Sequence, residues 1–412
     1  MDIRIDIARL RRDIEELGRI GCDASGGVSR PSFSPADLQA RAWLKDRLAA
    51  ADLAVRQDGA GNIFGRLGGD GRPVMTGSHI DTVLNGGMFD GAAGVLSSLE
   101  CLRRIREENV PLAKPLEIVS FTDEEGNLCG DFLGSRAFTG RLNREEIERG
   151  LTQLGIPLAD ILKGTEFSAE SILRTNAAAE AAAPEVEAFL ELHVEQGAVL
   201  DDEGIPVGIV DRFSGKHYRL CSFLGKAGHA GTTPIELRKD AFLGLADFAL
   251  RSTQHVATRH YGSFVTIGRV AVRPGAFSIV PGQADFTFEF RSAAPETMKA
   301  LETELFALAD DVARTRGLMF VSKIVDSTTP LAVAPRILDV LTEACGRLGI
   351  PFMKLTSGAG HDAQIMAAVT DSGMIFVPSP DGVSHSPKEC LRWEDLEKAA
   401  NLLLAALLRL AS

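Results

Sequence analysis

Apolar positions along the 412-residue chain change their period repeatedly, and each change marks a predicted element. Residues 3–19 and 35–52 carry apolar side chains at helical spacing. "RPVMTGSH" (72–79) reads as a strand and 91–107 as the helix that follows it. "PLEIVSFTDEE" (115–125) is a second buried strand, ending in acid, and "VEAFLELHVEQG" (186–197) is a third. Strands that alternate with helices predict an α/β sheet with some parallel pairing. The Ala-rich "TNAAAEAAAPEV" (175–186) reads as an exposed connector, helical in part at most.

The pattern changes near 213. "HYRLCSFLG" (217–225) alternates like a half-buried strand. A helix is predicted next, with Thr233 as N-cap, Pro234 in its first position and Glu236 closing a capping box. Two alternating segments follow at 263–272 and 283–292, then a helix over 294–316 and a strand over 318–325. That β-α-β-β-α-β order is the order of a ferredoxin-like unit. The strand–helix alternation resumes near 334, with "SGMIFVP" (372–378) as a buried strand. A closing helix over 393–411 turns Leu396, Leu403 and Leu407 inward. The expected architecture is therefore a discontinuous α/β domain (1–212 and 329–412) whose mixed sheet is flanked by helices. A ferredoxin-like α+β domain (213–328) is inserted in it. No internal repeat of solenoid length is visible.

Composition narrows the class. The net charge of −12 argues against a nucleic-acid partner, which would need clustered Lys and Arg. No apolar run approaches the ~20 residues of a membrane span. The first twenty residues read as a charged amphipathic helix rather than a signal peptide. Six scattered cysteines without a CxxC pair fit reduced thiols and predict a cytoplasmic protein.

Acidic and imidazole residues gather where the predicted strands end. His79 and Asp81 close one strand, Glu124 and Glu125 the next, His193 a third, and His385 follows a fourth in "DGVSHSP". Ligands of open α/β sheets bind outside the carboxyl ends of the strands. Singly, a His at a strand end or a "DEEG" turn has an ordinary structural explanation. Together, four segments distant in sequence deliver imidazole and carboxylate to one edge, which predicts a divalent transition-metal site. Two ions need a shared carboxylate, and Asp90, on a glycine-flanked turn, is placed to bridge them. One of the paired glutamates can then bind metal while the other stays free as a general base. No GxSxG elbow, GxxxxGK loop or strand-borne GxGxxG is present. Cys129 lies near the acidic pair, which would raise its pKa and blunt it, so it reads as a packing residue.

The motifs "GSHIDTVLNGGMFDGAAG", "DEEGNLCGDFLGSRA", "ELHVEQG", "GHAGTTPIELRKDA", "IVPG", "FEFR", "SGAGHDA" and "GVSHSPKE" span nearly the whole chain. In them the sequence resembles the amidohydrolase branch of the zinc-dependent exopeptidase superfamily that includes aminoacylases and carboxypeptidase G. Within it, the chain is similar to N-carbamoyl-L-amino acid amidohydrolases, allantoate amidohydrolases and β-ureidopropionases. The resemblance implies two divalent ions, zinc or manganese, with cobalt or nickel also accepted. His79 and His193 would hold one, Glu125 and His385 the other, and Asp90 would bridge. Asp81 would orient His79, and Glu124 would be the general base. The insert would be a lid that also forms a homodimer, with His229 reaching the partner's active site to stabilise the oxyanion. Arg291 would grip a substrate carboxylate; Gln196, Gly360 and His361 would contact the substrate. His217, His255 and His260 match no family motif and read as structural or solvated.

Two positions depart from the pattern: Ser278 stands where Asn often precedes the "VIPG" run, and Leu128 where Arg is common. Both bear on the substrate. The expected reaction is cleavage of the linear amide C–N bond of an N-carbamoyl or related ureido acid. Allantoate hydrolysis, an aminoacylase or dipeptidase activity, and a catalytically silent metal-binding scaffold are the alternatives.

Overall fold

A computed structural model describes residues 3–150, 152 and 155–412. The chain divides into two compact units. The larger comprises residues 1–211, 333–355 and 360–412, and the smaller 212–332 and 356–359. Among the described residues, no helix is long and apolar enough to cross a membrane.

The larger unit is built on a mixed sheet. Four strands at its centre run parallel: Leu116–Phe121, Val74–His79, Ala188–Val194 and Ser372–Val377, in that spatial order. All four are buried along their whole length, which is why they read as continuous apolar runs rather than alternating ones. Antiparallel strands extend both sides, Ile63–Leu67 and Ala54–Gln57 on one and Gly208–Phe213 on the other. The helix Ala92–Glu107 packs on Val74–His79, and the closing helix Trp393–Leu410 buries Leu396, Leu403 and Leu407. Because the central strands are parallel and in register (His79 opposite Phe121, Phe376 opposite His193), their carboxyl ends share one edge. The Ala-rich segment is helical in part, as its composition suggests. The helix Ala169–Ala181 covers its first half, with Ser168 and Ser171 forming a capping box.

The smaller unit is an antiparallel sheet with two helices, Ala241–Arg259 and Pro295–Arg316. The strand order Met319–Thr328, Gly215–Leu224, Gln283–Ser292, then Val270–Arg273, is the ferredoxin-like order. Phe223, Phe248, Phe286, Phe288, Leu301 and Leu305 lie at its core. Two local expectations fail here. The first helix starts at Ala241, not at Pro234, and Asp240 caps it by accepting from the Phe242 and Leu243 amides. The Thr233–Pro234–Glu236 signal is overridden because Lys226 N–H bonds to Lys239 O at 2.9 Å, pinning the preceding chain in an extended form; only one 3-10 turn, Ile235–Leu237, remains of the predicted first turn. The 263–272 strand is split into Phe264–Thr266 and Val270–Arg273, both paired to Gln283–Ser292.

Candidate metal centre

The parallel edge of the larger unit brings five predicted ligands together. His79 ends its strand, and Nδ1 donates to the backbone carbonyl of Asp81 at 3.0 Å. His193 sits one residue from the end of its strand, and Nδ1 donates to Val194 O at 2.9 Å. A carbonyl can only accept, so both rings carry their first proton on Nδ1 and turn Nε2 toward the site. Asp90 lies between them. Its Oδ1 is 3.0 Å from His193 Nε2 and 3.9 Å from His79 Nε2, while Oδ2 is 3.2 Å from His385 Nε2. Glu125 Oε2 faces His385 Nε2 at 3.5 Å, and Glu124 Oε2 faces His79 Nε2 at 3.6 Å. Asp90 is therefore common to two triads, His79–Asp90–His193 and Asp90–Glu125–His385, each compact enough to hold one ion. Glu124 shares neither triad; it groups with His79 and Glu125.

The donor set fits divalent cations. His79 Nε2, His193 Nε2, Asp90 Oδ1 and Glu125 Oε1 are buried without a hydrogen-bond partner among the described residues. Such groups are normally satisfied. His193 Nε2 and Asp90 Oδ1 face each other at 3.0 Å, an approach that calls for a positive charge between them, a proton in the metal-free chain or a cation in its place. Titration properties agree. Burial pushes the Glu124 and Glu125 carboxyls well above their usual range, and their acidic neighbours push them further. Burial opposes a charge on His193, but Asp90 and Glu191 outweigh it and raise the imidazole to about 9. Burial lowers His79 to about 4, leaving it a neutral donor. A second grouping, Glu191–His193–His361, is less suited, because both Glu191 oxygens are taken, by Ser78 Oγ at 2.6 Å and the Ala363 amide at 2.8 Å.

Backbone geometry is part of the cage. Gly91 has φ +62°, and a Cβ there would stand 2.4–2.5 Å from three ring atoms of His79. Glycine is needed on both counts. Asp123, Gln196 and His385 adopt left-handed φ of 56°, 60° and 52° beside or within the ligand loops.

Several predicted roles shift. Asp81 steadies His79 through its carbonyl; its carboxylate, 3.7 Å from the ring, instead accepts the amides of Glu124 at 3.4 Å and Glu125 at 3.3 Å. It thus fixes the turn that presents both glutamates. Gln196 Nε2 donates to Asp90 Oδ2 at 3.0 Å, so it touches the carboxylate that the two triads share. Buried His361 packs edge-on against His193 at 4.6 Å, and Gly360 lies where a Cβ would meet the Phe132 ring at 2.7 Å. Leu128 does not line the site. It is buried in an apolar cluster with Phe33, Leu133 and Leu142, because the chain reverses at Gly126 and turns it inward. Cys129 joins the same cluster, and burial pushes its thiol up to about 11, as a packing residue requires.

His229, Ser278 and Arg291 belong to the smaller unit. His229 pairs with Ile279 on a two-residue ladder, and the Ala230 amide bonds Ser278 O at 2.8 Å, so His229 and Ser278 are exposed neighbours. Arg291 is held by Glu289, and its Nη1 donates to Gly358 O at 2.6 Å.

One residue escaped the sequence reading. Buried Glu389 accepts the amides of Phe89 and Asp90, both at 3.0 Å, and the Ser384 hydroxyl at 3.1 Å. It holds the Asp90 turn in place. The only signal was its position in "GVSHSPKE", where a lone acid after Pro387 and Lys388 reads as a solvated turn.

Comparison with known proteins identifies the family of the chain. The model of peptidase family M20/M25/M40 matches residues 75–409. The chain is 35% identical to an N-carbamoyl-L-amino acid amidohydrolase of Geobacillus stearothermophilus, over 98% of each chain. It is 31% identical to the allantoate amidohydrolase of Escherichia coli (strain K12), over 98% of this chain and 99% of that one. Among solved structures, a hydantoinase/carbamoylase family amidase from Burkholderia multivorans superposes with a TM-score of 0.87 at 31% identity, covering 100% of this chain and 99% of the other.

Proposed function

The chain belongs to peptidase family M20/M25/M40, and from that premise we propose that it is a dinuclear metal-dependent amidohydrolase. Its substrate is an N-carbamoyl amino acid or a related ureido acid, whose linear amide C–N bond it cleaves. The observation that carries this reading is Asp90, whose two oxygens serve separate ligand triads. His79 and His193 would hold one ion and Glu125 and His385 the other, zinc or manganese by the chemistry of the donors. When bound, the ions polarise the substrate carbonyl and bring the pKa of water toward ~7.

The remaining work falls to the protein. Glu124, beside His79 and outside both Asp90 triads, takes the proton of the attacking water and returns it to the leaving nitrogen. The Asp81 carboxylate keeps Glu124 and Glu125 oriented through their amides. Arg291 grips the substrate carboxylate as a bidentate pair, exchanging it for Glu289. His229 supplies a donor to the developing oxyanion from the second subunit of a homodimer. An edge strand supports the dimer: Met319–Thr328 exposes Met319, Val321, Ile324 and Val325, an apolar edge of the kind that pairs with another copy. The six cysteines form no disulfide among the described residues, and reduced thiols support a cytoplasmic location.

The test is a substrate panel on protein reconstituted with Mn²⁺ or Zn²⁺, comprising N-carbamoyl-L-amino acids, allantoate, β-ureidopropionate and N-acetyl amino acids. Turnover of a ureido acid with release of ammonia is expected. Turnover confined to N-acetyl amino acids would move the chain to the aminoacylases. Two bound ions with no turnover of any member would leave a silent scaffold.

A further inference from the structure

The smaller unit carries a second constellation of metal-ligating side chains. His255 lies one turn before the end of the helix Ala241–Arg259, and His260 is the residue that caps it. Glu304 comes from the neighbouring helix Pro295–Arg316. Both imidazoles aim Nε2 at the same carboxylate oxygen: His255 Nε2 is 2.6 Å and His260 Nε2 2.9 Å from Glu304 Oε2. One ligand atom from each of the three lies within 4.8 Å of the others. The side chains are half-buried, with 21%, 10% and 37% exposed, so they are constrained yet reachable from solvent.

We propose that His255, His260 and Glu304 form a divalent transition-metal site that staples the two helices of the smaller unit. Two imidazoles and a carboxylate, with one position left for water, are a known zinc donor set. A tetrahedral ion with bonds of about 2.0–2.2 Å needs its ligand atoms roughly 3.3 Å apart. The present His–Glu separations of 2.6 and 2.9 Å lie within about 1 Å of that value. The setting favours a cation. The carbonyl end of a 19-residue helix carries partial negative charge, and Glu304 adds a full one. The two rings stand 5.6 Å apart, so protonating both would set like charges together, whereas one ion lets both stay neutral. Each ring then moves its proton from Nε2 to Nδ1, and Nε2 donates its lone pair to the metal.

The experiment is equilibrium dialysis of full-length protein against Co²⁺, counting bound ions and recording the visible absorption of tetrahedral Co²⁺. Wild type is expected to hold one equivalent more than Glu304→Gln, with ureido-acid hydrolysis unchanged by that substitution. Full-length Asp90→Ala/His193→Ala protein, with the cage disabled, should still take up one equivalent, and adding Glu304→Gln should remove it. Should Glu304→Gln fail to fold, His255→Ala carries the same comparison. Equal stoichiometry in wild type and variant would overturn the proposal, leaving Glu304 as a hydrogen-bond acceptor alone. The result does not depend on the reading of the Asp90 cage, because each site is removed separately.

Discussion

Replacing Glu389 tests whether the bridging carboxylate is placed by a partner that touches no ion. Glu389→Ala strips the acceptor from two buried amides, Phe89 and Asp90, each bonded at 3.0 Å to one carboxylate oxygen. A buried donor left unsatisfied costs about 1–3 kcal/mol, so the two together cost about 2–6 kcal/mol. Removing a group that orients a ligand weakens metal binding about 10- to 100-fold, which is about 1.4–2.8 kcal/mol. The two ranges overlap between about 2 and 2.8 kcal/mol, so the lost amide bonds are large enough to account for the expected loss of affinity. Glu389→Gln separates position from charge. Both amides go to the same oxygen, which the glutamine carbonyl can supply, and the Ser384 hydroxyl can turn to accept from the new amide. Only the charge-assisted part is then lost, and affinity should fall by no more than about tenfold. The assay is calorimetric titration of metal-free protein with Mn²⁺, with circular dichroism to check the fold. If folded Glu389→Ala binds both ions as tightly as wild type, the Asp90 turn does not depend on Glu389 and the reasoning fails.

Other outcomes follow from the same geometry. Glu124→Gln should keep both ions and lose about 100- to 10,000-fold in turnover, since only proton transfer is removed; turnover near wild type would reassign the base. Gly91→Ala should lower Tm and deplete the ion beside His79. It places a Cβ on the imidazole and forces a left-handed residue, which alone costs about 1–2 kcal/mol; an unchanged metal content would show that the turn can relax. Metal binding should expel protons at pH 7. His193, raised to about 9, holds a second proton in the metal-free cage that ligation must remove, and the upward shift of the ligand Glu125 acts in the same direction. Affinity should therefore climb from pH 7 to 9, and titrations in buffers of different ionisation heat will count the protons; zero release contradicts the assignment. His229→Ala should cut turnover about 100- to 1000-fold with both ions in place, and a loss of metal instead would give His229 another role.

How much of this was readable follows from what carries each feature. His79, Glu124, Glu125 and His193 were legible because parallel strands set their carboxyl ends on one edge, and a strand's end can be found from where its apolar run stops. His385 lies eight residues past Val377, outside any period; its place rests on chain reversals at Asp381, Gly382 and His385 itself. Leu128 shows the converse error. It stands where Arg is common in the resembled family, so from sequence it reads as bearing on the substrate, yet Gly126 turns the chain and Leu128 enters the core. Glu389 was missed because a lone acid in a turn has no pattern of its own, and its value lies in two amides that only the fold reveals. Thr233, Pro234 and Glu236 satisfied every local rule for a helix start and still lost to a strand-like bridge at Lys239. Local capping worth about 1 kcal/mol is readily overridden by tertiary hydrogen bonding.

The cage itself runs against local preference, and this bears on why it exists. Asp123, Gln196 and His385 hold left-handed backbone without being glycine, a conformation that costs on the order of 1–3 kcal/mol at each site. Asp90, Glu124 and Glu125 crowd like charges in a buried volume, which is why both glutamates are pushed toward protonation. Neither feature strengthens the fold of the metal-free chain. Both are intelligible if the sheet edge is held by strands and helices stable enough to tolerate them, and if divalent cations offset the repulsion once bound. The rigid support is visible: the four central strands are buried throughout, and the backbone amides of Phe89, Asp90, Glu124 and Glu125 are clamped by donating to the carboxylates of Glu389 and Asp81. Strain and charge at that edge are thus arguments for chemistry, because packing alone would have selected against both.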